Sequence, residues 1–317
     1  MTAKRCLGLD TSNYTTSAAV FNGREGENVG QLLQVRPGEL GLRQSDALFQ
    51  HVKQLPQLME QLASQGRLEN IQAVGASTRP RAVEGSYMPC FLAGTSQAQC
   101  LAHTLGVPFF AFSHQQGHLA AAAWSAGWLD LLEGPFLAWH LSGGTTELLR
   151  AEPEQDGVAM TAEILGGTSD ISAGQLIDRT GVLLGLQFPA GKALDPLSAQ
   201  AEKVKPFPVK VENCTFSLSG MENKVKQMTE KGEAPETVAR FALETVARAV
   251  VKATRQALER FPGLPVLCSG GVASNSLLRQ VMEQECGAIF AQPRFSTDNA
   301  MGTAILTWRA LERERAQ

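Results

Sequence analysis

The sequence lacks any long uninterrupted apolar run. Residues 119–132 come nearest, but Asp130 breaks the stretch and it is too short to span a bilayer. Its alanine-rich register suits a buried helix. Nor does the N-terminus join a basic head to an apolar run, so the chain is expected to be cytoplasmic rather than secreted. None of the six cysteines (Cys6, Cys90, Cys100, Cys214, Cys268, Cys286) stands at the two-residue spacing of a zinc knuckle. In a cytoplasmic chain they read as reduced, mostly buried thiols. Positive charge is not in excess: the formal net charge is −3. No global field draws the protein onto nucleic acid, and neither DNA nor a membrane is expected as a partner. Lys203, Lys205, Lys210, Lys224 and Lys226 form one modest basic stretch, which is either a local nucleic-acid contact or a plain solvated surface.

What is present is ordinary globular material: 317 residues, 44% hydrophobic and 19% charged, long for one core and sufficient for two lobes. Strands are expected at residues 5–10, 16–21 and 31–35, the last after a glycine-rich turn. Helical periodicity covers 45–63 and 93–105, with buried strands at 73–77 and 107–112. The pattern then begins again, with strands at 135–141, 147–151 and 160–164, helices at 171–184 and 237–260, and a strand at 265–268. A helix begins near 274 and a small-residue helix covers 300–306. This duplicated α/β opening resembles the actin-like ATPase superfold, in which two RNase H-like lobes face a nucleotide cleft. The expected lobes are residues 1–133 with 296–317, and residues 134–295.

Several residue sets carry candidate chemistry. His114 and His118 stand four apart just after a strand, so a helix puts both imidazoles on one face, where they can share a metal ion. The alternative is two unrelated polar residues at a helix start. Ser142-Gly143-Gly144-Thr145 is either an anion-binding loop of backbone N–H groups and hydroxyls or a hairpin turn. Gly270-Gly271 before a helix is a second candidate anion site. Asp298 suits a ligand or a helix cap, and Asp178 alone reads as exposed on the polar side of its helix.

Taken in order, His114-Gln-Gln-Gly-His118, Ser142-Gly-Gly-Thr145, Asp170-Ile-Ser-Ala-Gly-Gln-Leu-Ile-Asp-Arg-Thr180, Phe188-Pro-Ala-Gly191, Phe216-Ser-Leu-Ser-Gly220, Gly270-Gly-Val-Ala-Ser-Asn275 and Ser296-Thr-Asp-Asn299 resemble the TsaD/Gcp family. These are the tRNA threonylcarbamoyladenosine synthases, formerly called O-sialoglycoprotein endopeptidases. The resemblance runs from about Leu7 to Leu306. It implies a transferase that moves a threonylcarbamoyl group from its adenylate to N6 of adenosine 37 in tRNAs reading codons that start with A, working with accessory proteins of a tRNA-modification complex.

By the same resemblance, one divalent metal, iron or zinc, sits on His114, His118 and Asp298, with His140 as a further candidate where some members have a Tyr. His140, Leu141, Ser142, Gly143 and Gly144 match the phosphate strip for ATP or an acyl-adenylate, with Thr145 next to it. Asp178, Gly191, Asp195 and Asn275 match the surroundings of ribose and base. His114-Gln-Gln-Gly-His118 lacks the Glu of a zinc protease, which disfavours the peptidase reading.

The chain also departs from the family. Asp10-Thr-Ser-Asn13-Tyr14-Thr-Thr16 replaces Glu-Thr-Ser-Cys-Asp-Glu-Thr, and Thr145 stands where bacterial members carry His. Thr78-Arg79-Pro80-Arg81, followed by Glu84 and Gly85, replaces a Gly-Pro-Gly loop. These departures fall on the expected acceptor side. The alternative they raise is a divergent paralogue, binding nucleotide and metal but acting on another acceptor or non-catalytically through a partner.

Overall fold

The structure is a computed structural model that describes residues 3–12, 14–35, 42–202 and 204–316. Asn13 and Lys203, singled out above, lie outside the described residues. The chain divides into two compact units, one of residues 1–133, 153–161 and 297–317, the other of 134–152 and 162–296.

In the first unit β1 (Arg5–Asp10), β2 (Thr15–Phe21) and β3 (Gly26–Leu32) form an antiparallel meander. Helix α1 (Gln44–Ser64), β4 (Ile71–Arg79), α2 (Phe91–Leu105), β5 (Phe109–Ser113) and α3 (His114–Ser125) follow. Strands β4 and β5 add parallel to β1, giving the order β3-β2-β1-β4-β5. The third strand starts earlier than the expected 31–35. Asn22 is the reason: its side chain accepts from the N–H groups of Arg24 and Glu25, closing a tight turn. Pairing then begins at once, from Phe21↔Gly26 to Thr15↔Leu32.

The second unit contains β6 (Phe136–Leu141), β7 (Thr146–Pro153), β8 (Met160–Thr168), α4 (Ala173–Leu183), α5 (Gly191–Ser198), β9 (Val211–Glu212) and β10 (Thr215–Phe216). Then come α6 (Ser219–Glu230), α7 (Pro235–Arg260), β11 (Val266–Ser269), α8 (Ser276–Cys286) and β12 (Ile289–Phe290). Its sheet runs β12-β11-β6-β7-β8-β10-β9. The five strands from β8 to β12 through β6 repeat the first unit's third-second-first-fourth-fifth order, as the duplicated actin-like fold requires. Trp139 on β6 is fully buried, its indole N–H donating to Thr254 on α7 at 2.8 Å.

Helices α5 and α6 and the short β9–β10 pair were not anticipated, for visible reasons. Helix α5 is eight residues long and contains Pro196. Helix α6 is polar apart from a single buried stripe of Met221, Val225 and Met228. Its start is held from outside by Asp170, which accepts from the Leu218 and Ser219 N–H groups at 2.8 and 3.2 Å and from the Ser217 hydroxyl. Partial burial disfavours the Asp170 carboxylate, but those hydrogen bonds more than offset it and hold its pKa well below the usual carboxylate range.

Chain and first unit end in α9 (Met301–Ala316), which crosses the back of the sheet. Closeness here rests on missing side chains. A Cβ on Gly8 of β1 would lie 2.4 Å from the Ala304 nitrogen, and one on Gly302 would lie 1.7 Å from the Gly117 carbonyl oxygen. Helices α3 and α9 therefore touch backbone to backbone at Gly117 and Gly302. Farther along, the Arg309 guanidinium bonds the carbonyls of Gly157 and Val158 at 2.8 and 3.0 Å, fastening turn 153–161 to α9.

Two outcomes follow for stability. Gly302→Ala forces the helices apart and should cost about 3 kcal/mol or prevent folding, read by urea denaturation. Asp170→Asn should lower stability near neutral pH. Because the folded pKa is depressed, that contribution is present above the unfolded value of about 3.9 and fades as pH falls below it. The stability gap between wild type and variant should therefore shrink in acid, and a gap independent of pH would contradict the assignment.

Candidate metal centre and nucleotide pocket

The candidate metal-centre residues come from two places in the first unit. Ser113 ends β5 and caps α3, its hydroxyl accepting from the Gln116 N–H while the Gln116 side chain accepts from the Ser113 N–H. That capping box starts the helix at His114 and places His118 one turn on, the two Nε2 atoms 2.8 Å apart. Asp298 lies just before α9, its Oδ1 at 3.5 Å from His114 Nε2 and 3.4 Å from His118 Nε2. The Gly117–Gly302 crossing brings the start of α3 and the segment before α9 to this point. Asp298 is not the helix cap here, since the Asn299 side chain accepts from the Met301 N–H at 3.0 Å.

A fourth residue, which sequence reasoning passed over, organises the other three. Asp10, at the buried end of β1, accepts from His114 Nδ1 at 2.9 Å, from the Ser12 N–H and hydroxyl, and from the Ser77 hydroxyl. With Nδ1 bonded to Asp10, His114 aims Nε2 at His118 and Asp298, where an ion would take the place of that nitrogen's proton. The available clue was a lone carboxylate ending an otherwise uncharged buried stretch after Arg5.

Electrostatics at this point favour positive charge. Burial opposes a charged His114, but Asp10 and then Asp298 outweigh it and push its pKa up to about 10. Burial likewise opposes the Asp298 and Asp10 anions, and the histidines and hydroxyls around them still hold both below the usual range. A divalent ion would supply the positive charge the two carboxylates call for. The spacing suits one as well: bonds of about 2.0–2.2 Å put neighbouring donors about 2.9–3.6 Å apart. Among the described residues His114, His118 and Asp298 form the one such group. His140 lies in the second unit on β6, in register with Glu147 and Ser269.

The second unit has its own pocket, of about 460 Å³. Of the residues matched to nucleotide, Gly143, Asp178, Gly191, Asp195, Gly271 and Asn275 line it. A Cβ on Gly143 or Gly271 would meet nothing within 4 Å, so both present open backbone to the pocket. Asp178 is half-buried rather than exposed, because its carboxylate accepts from the Ala190 N–H at 2.8 Å and pins the loop before α5. Asp195 accepts from the Asn275 amide at 2.8 Å and from the Ser276 N–H at 2.9 Å, joining α5 to α8.

Other matched residues build the frame instead. Ser142 and Thr145 close the turn between β6 and β7, the Ser142 hydroxyl accepting from the Thr145 N–H. Leu141 is buried, and Gly270, at φ +98°, packs against its carbonyl, where a Cβ would come within 2.1 Å. Gly144 does not line the pocket. Lys192, beside Gly191, is a lining cation that sequence reasoning missed. Of the basic stretch, Lys210 pairs with Glu212 and Lys226 with Glu222, reducing its net charge. Among the described residues no helix is long and apolar enough to cross a membrane.

The family model for tRNA N6-adenosine threonylcarbamoyltransferase (TsaD) matches residues 37–305. A tRNA N6-adenosine threonylcarbamoyltransferase from Thermus thermophilus is 33% identical over 327 residues, covering 99% of this chain and 94% of the relative. One from Neorickettsia sennetsu is 29% identical, covering 98% and 94%. Solved structures share the fold at low identity. Full-length HypF in its phosphate- and nucleotide-bound form matches at 13% identity and TM-score 0.60, over 97% of this chain and 56% of that one. Component A of (R)-2-hydroxyglutaryl-CoA dehydratase from Acidaminococcus fermentans matches at 15% and 0.57, over 98% and 100%.

Asp10→Asn keeps the shape of the side chain but removes the charge that orients His114. Metal retention should fall about 10–100-fold in competition with a chelator, with little change in fold. Unaltered retention would deprive Asp10 of its orienting role.

Proposed function

The chain belongs to the tRNA N6-adenosine threonylcarbamoyltransferase family, and we propose that it performs this transfer with iron or zinc on His114, His118 and Asp298 and an adenine nucleotide or acyl-adenylate in the second unit's pocket. The observation that carries the reading is the donor triad with its orienting carboxylate: two Nε2 atoms and one Oδ1 within 4.8 Å of one another, His114 held by Asp10. Two imidazoles and one carboxylate suit iron or zinc better than magnesium. The proposed substrate is tRNA, in keeping with a cytoplasmic protein that works with accessory proteins of a tRNA-modification complex.

In the reaction the N6 amine attacks the carbamoyl carbon of the donor. A C–N bond forms, the bond from that carbon to the adenylate phosphate oxygen breaks, and AMP and one amine proton are released. The metal, when bound, supplies Lewis acidity. The chain's own residues bind and orient. His114 and His118 offer neutral nitrogen to the ion, and Asp10 fixes the ring of His114. The bare backbones of Gly143 and Gly271 let phosphate oxygens approach N–H groups that a side chain would screen. Asp178, Asp195 and Asn275 hold α5, the loop before it and α8 in place around the nucleoside.

A second reading, transfer to another acceptor, draws on the segment after β4, where Arg79-Pro80-Arg81 ends the strand and the Pro80 carbonyl accepts from the Gln115 N–H at 3.0 Å, beside the metal helix.

The test is reconstitution of the metal-loaded chain with an enzyme making threonylcarbamoyl-adenylate, accessory proteins and tRNA that decodes codons beginning with A, followed by nucleoside analysis. Modified adenosine is expected. It should vanish in His118→Ala together with bound metal. In Gly143→Val, ATP affinity should drop at least about tenfold, or ~1.4 kcal/mol. No product from wild-type protein that still holds metal and ATP would favour the divergent-paralogue reading.

A further inference from the structure

The first unit holds a further pocket, of about 250 Å³, on the side of α3 away from the metal ligands. Gln116 faces it, two residues from each histidine and therefore about 200° around the helix from both. The apolar part is made by buried Phe112, Val158 and Ala310. Charged groups rise around this floor from separate elements: Arg79 at the end of β4, Glu154 and Asp156 on the turn between β7 and β8, and Arg313 and the exposed Glu314 on α9.

Most of these charges are already engaged. Arg313 bonds the Glu133 carboxylate at 3.2 Å and the Gly157 carbonyl at 3.3 Å. Asp156 accepts from the Val158 N–H at 2.8 Å, which shapes the turn. Glu154 accepts from the Gln116 amide at 2.8 Å through one oxygen. Arg79 is different. It is half-buried, and among the described residues no hydrogen bond or ion pair is formed by its side chain.

Arg79 is nevertheless near enough to Glu154 to act on it. Burial and then Asp156 raise the Glu154 pKa, while Gln116 and Arg79 pull the other way. A guanidinium and a carboxylate thus face one pocket, coupled through space but not closed into an ion pair. A half-buried cation without a partner is costly. Flexible arginines normally collapse onto a nearby carboxylate, and here turn 153–161 is fastened to α9 by Arg309 while Gln116 holds Glu154.

We propose that this pocket binds a small zwitterion of the α-amino acid class, with its carboxylate on Arg79, its ammonium on Glu154 and Asp156, and its side chain over Phe112 and Val158. Guanidinium and carboxylate make paired, charge-assisted hydrogen bonds. A carboxylate acceptor facing the ammonium satisfies the other end, so the ligand bridges two charges that form no salt bridge with each other. An anion alone would leave the Glu154 side uncompensated, and an amine alone would leave Arg79 so.

Calorimetry on the metal-loaded full chain tests this, with glycine, L-alanine and L-valine as ligands and acetate and ethylamine as single-charge controls. At least one of the amino acids should bind with millimolar affinity or better, and the controls should bind roughly tenfold more weakly or not at all. Arg79→Ala and Glu154→Gln should each weaken amino acid binding about tenfold or more, with Arg79→Lys intermediate and melting curves confirming that each variant is folded. The Gln variant keeps an oxygen for Gln116, so its loss of binding reports charge rather than collapse of the turn. No heat from any of the three amino acids up to about 20 mM would overturn the proposal. So would binding that survives unchanged in Arg79→Ala, or acetate binding as tightly as the amino acids.

Discussion

Backbone contact between α3 and α9 is the constraint on which the first unit's site depends. Gly117 stands between the two histidines, and Gly302 lies four residues after Asp298. With no side chains between them the helices meet at the Gly117 carbonyl, and this alone brings a carboxylate from the chain's end to imidazoles almost two hundred residues earlier. Gly302 is the residue whose missing side chain matters: a Cβ on it would lie 1.7 Å from the Gly117 carbonyl oxygen, whereas one on Gly117 would meet nothing nearer than 3.4 Å. Gly302 sets the distance between helices, and the distance sets whether three donors can share one ion.

Asp10 supplies the second condition. Placing two imidazoles together does not decide which nitrogen each presents, and an unanchored ring is free to turn. A carboxylate at the end of β1, itself gripped by Ser12 and Ser77, settles the matter for His114. Strand β1 lies at the centre of its sheet between β2 and β4, so the orienting group rides on one of the best-supported backbones in the unit. The second unit uses carboxylates differently. Asp178, Asp195 and Asp170 accept from backbone or side-chain donors and act as struts for loops and helix starts.

How far this was legible in the sequence varies from residue to residue. Local patterns carried well where the signal is local. Strand β1, helices α1 and α7 and the His114/His118 pair follow from alternation, periodicity and spacing, because those depend on a few neighbouring residues. The motif order indicated the family, and the repeated strand–loop–strand openings indicated a duplicated fold. Periodicity faltered at α6, whose buried face is a single stripe, and at α5, whose shortness and internal proline mute any period. The start of β3 was lost to the Asn22 turn, a hydrogen-bonding detail that hydrophobicity does not register.

The sequence by itself determined which residues are available: two histidines on one helical face, glycines where backbone must be bare, carboxylates at particular loop ends. Those choices are covalent and local, and they are readable without coordinates. Only the tertiary structure decided what each is for. It gave the capping of α9 to Asn299 and freed Asp298 to face the histidines. It turned Ser142 and Thr145 into a closed turn while leaving Gly143 open to a pocket. It set Arg79 against Glu154, seventy-five positions later in the chain, without letting them pair. Each of these depends on contacts between segments far apart in sequence, and the energy of such contacts exists only once packing has brought the segments together.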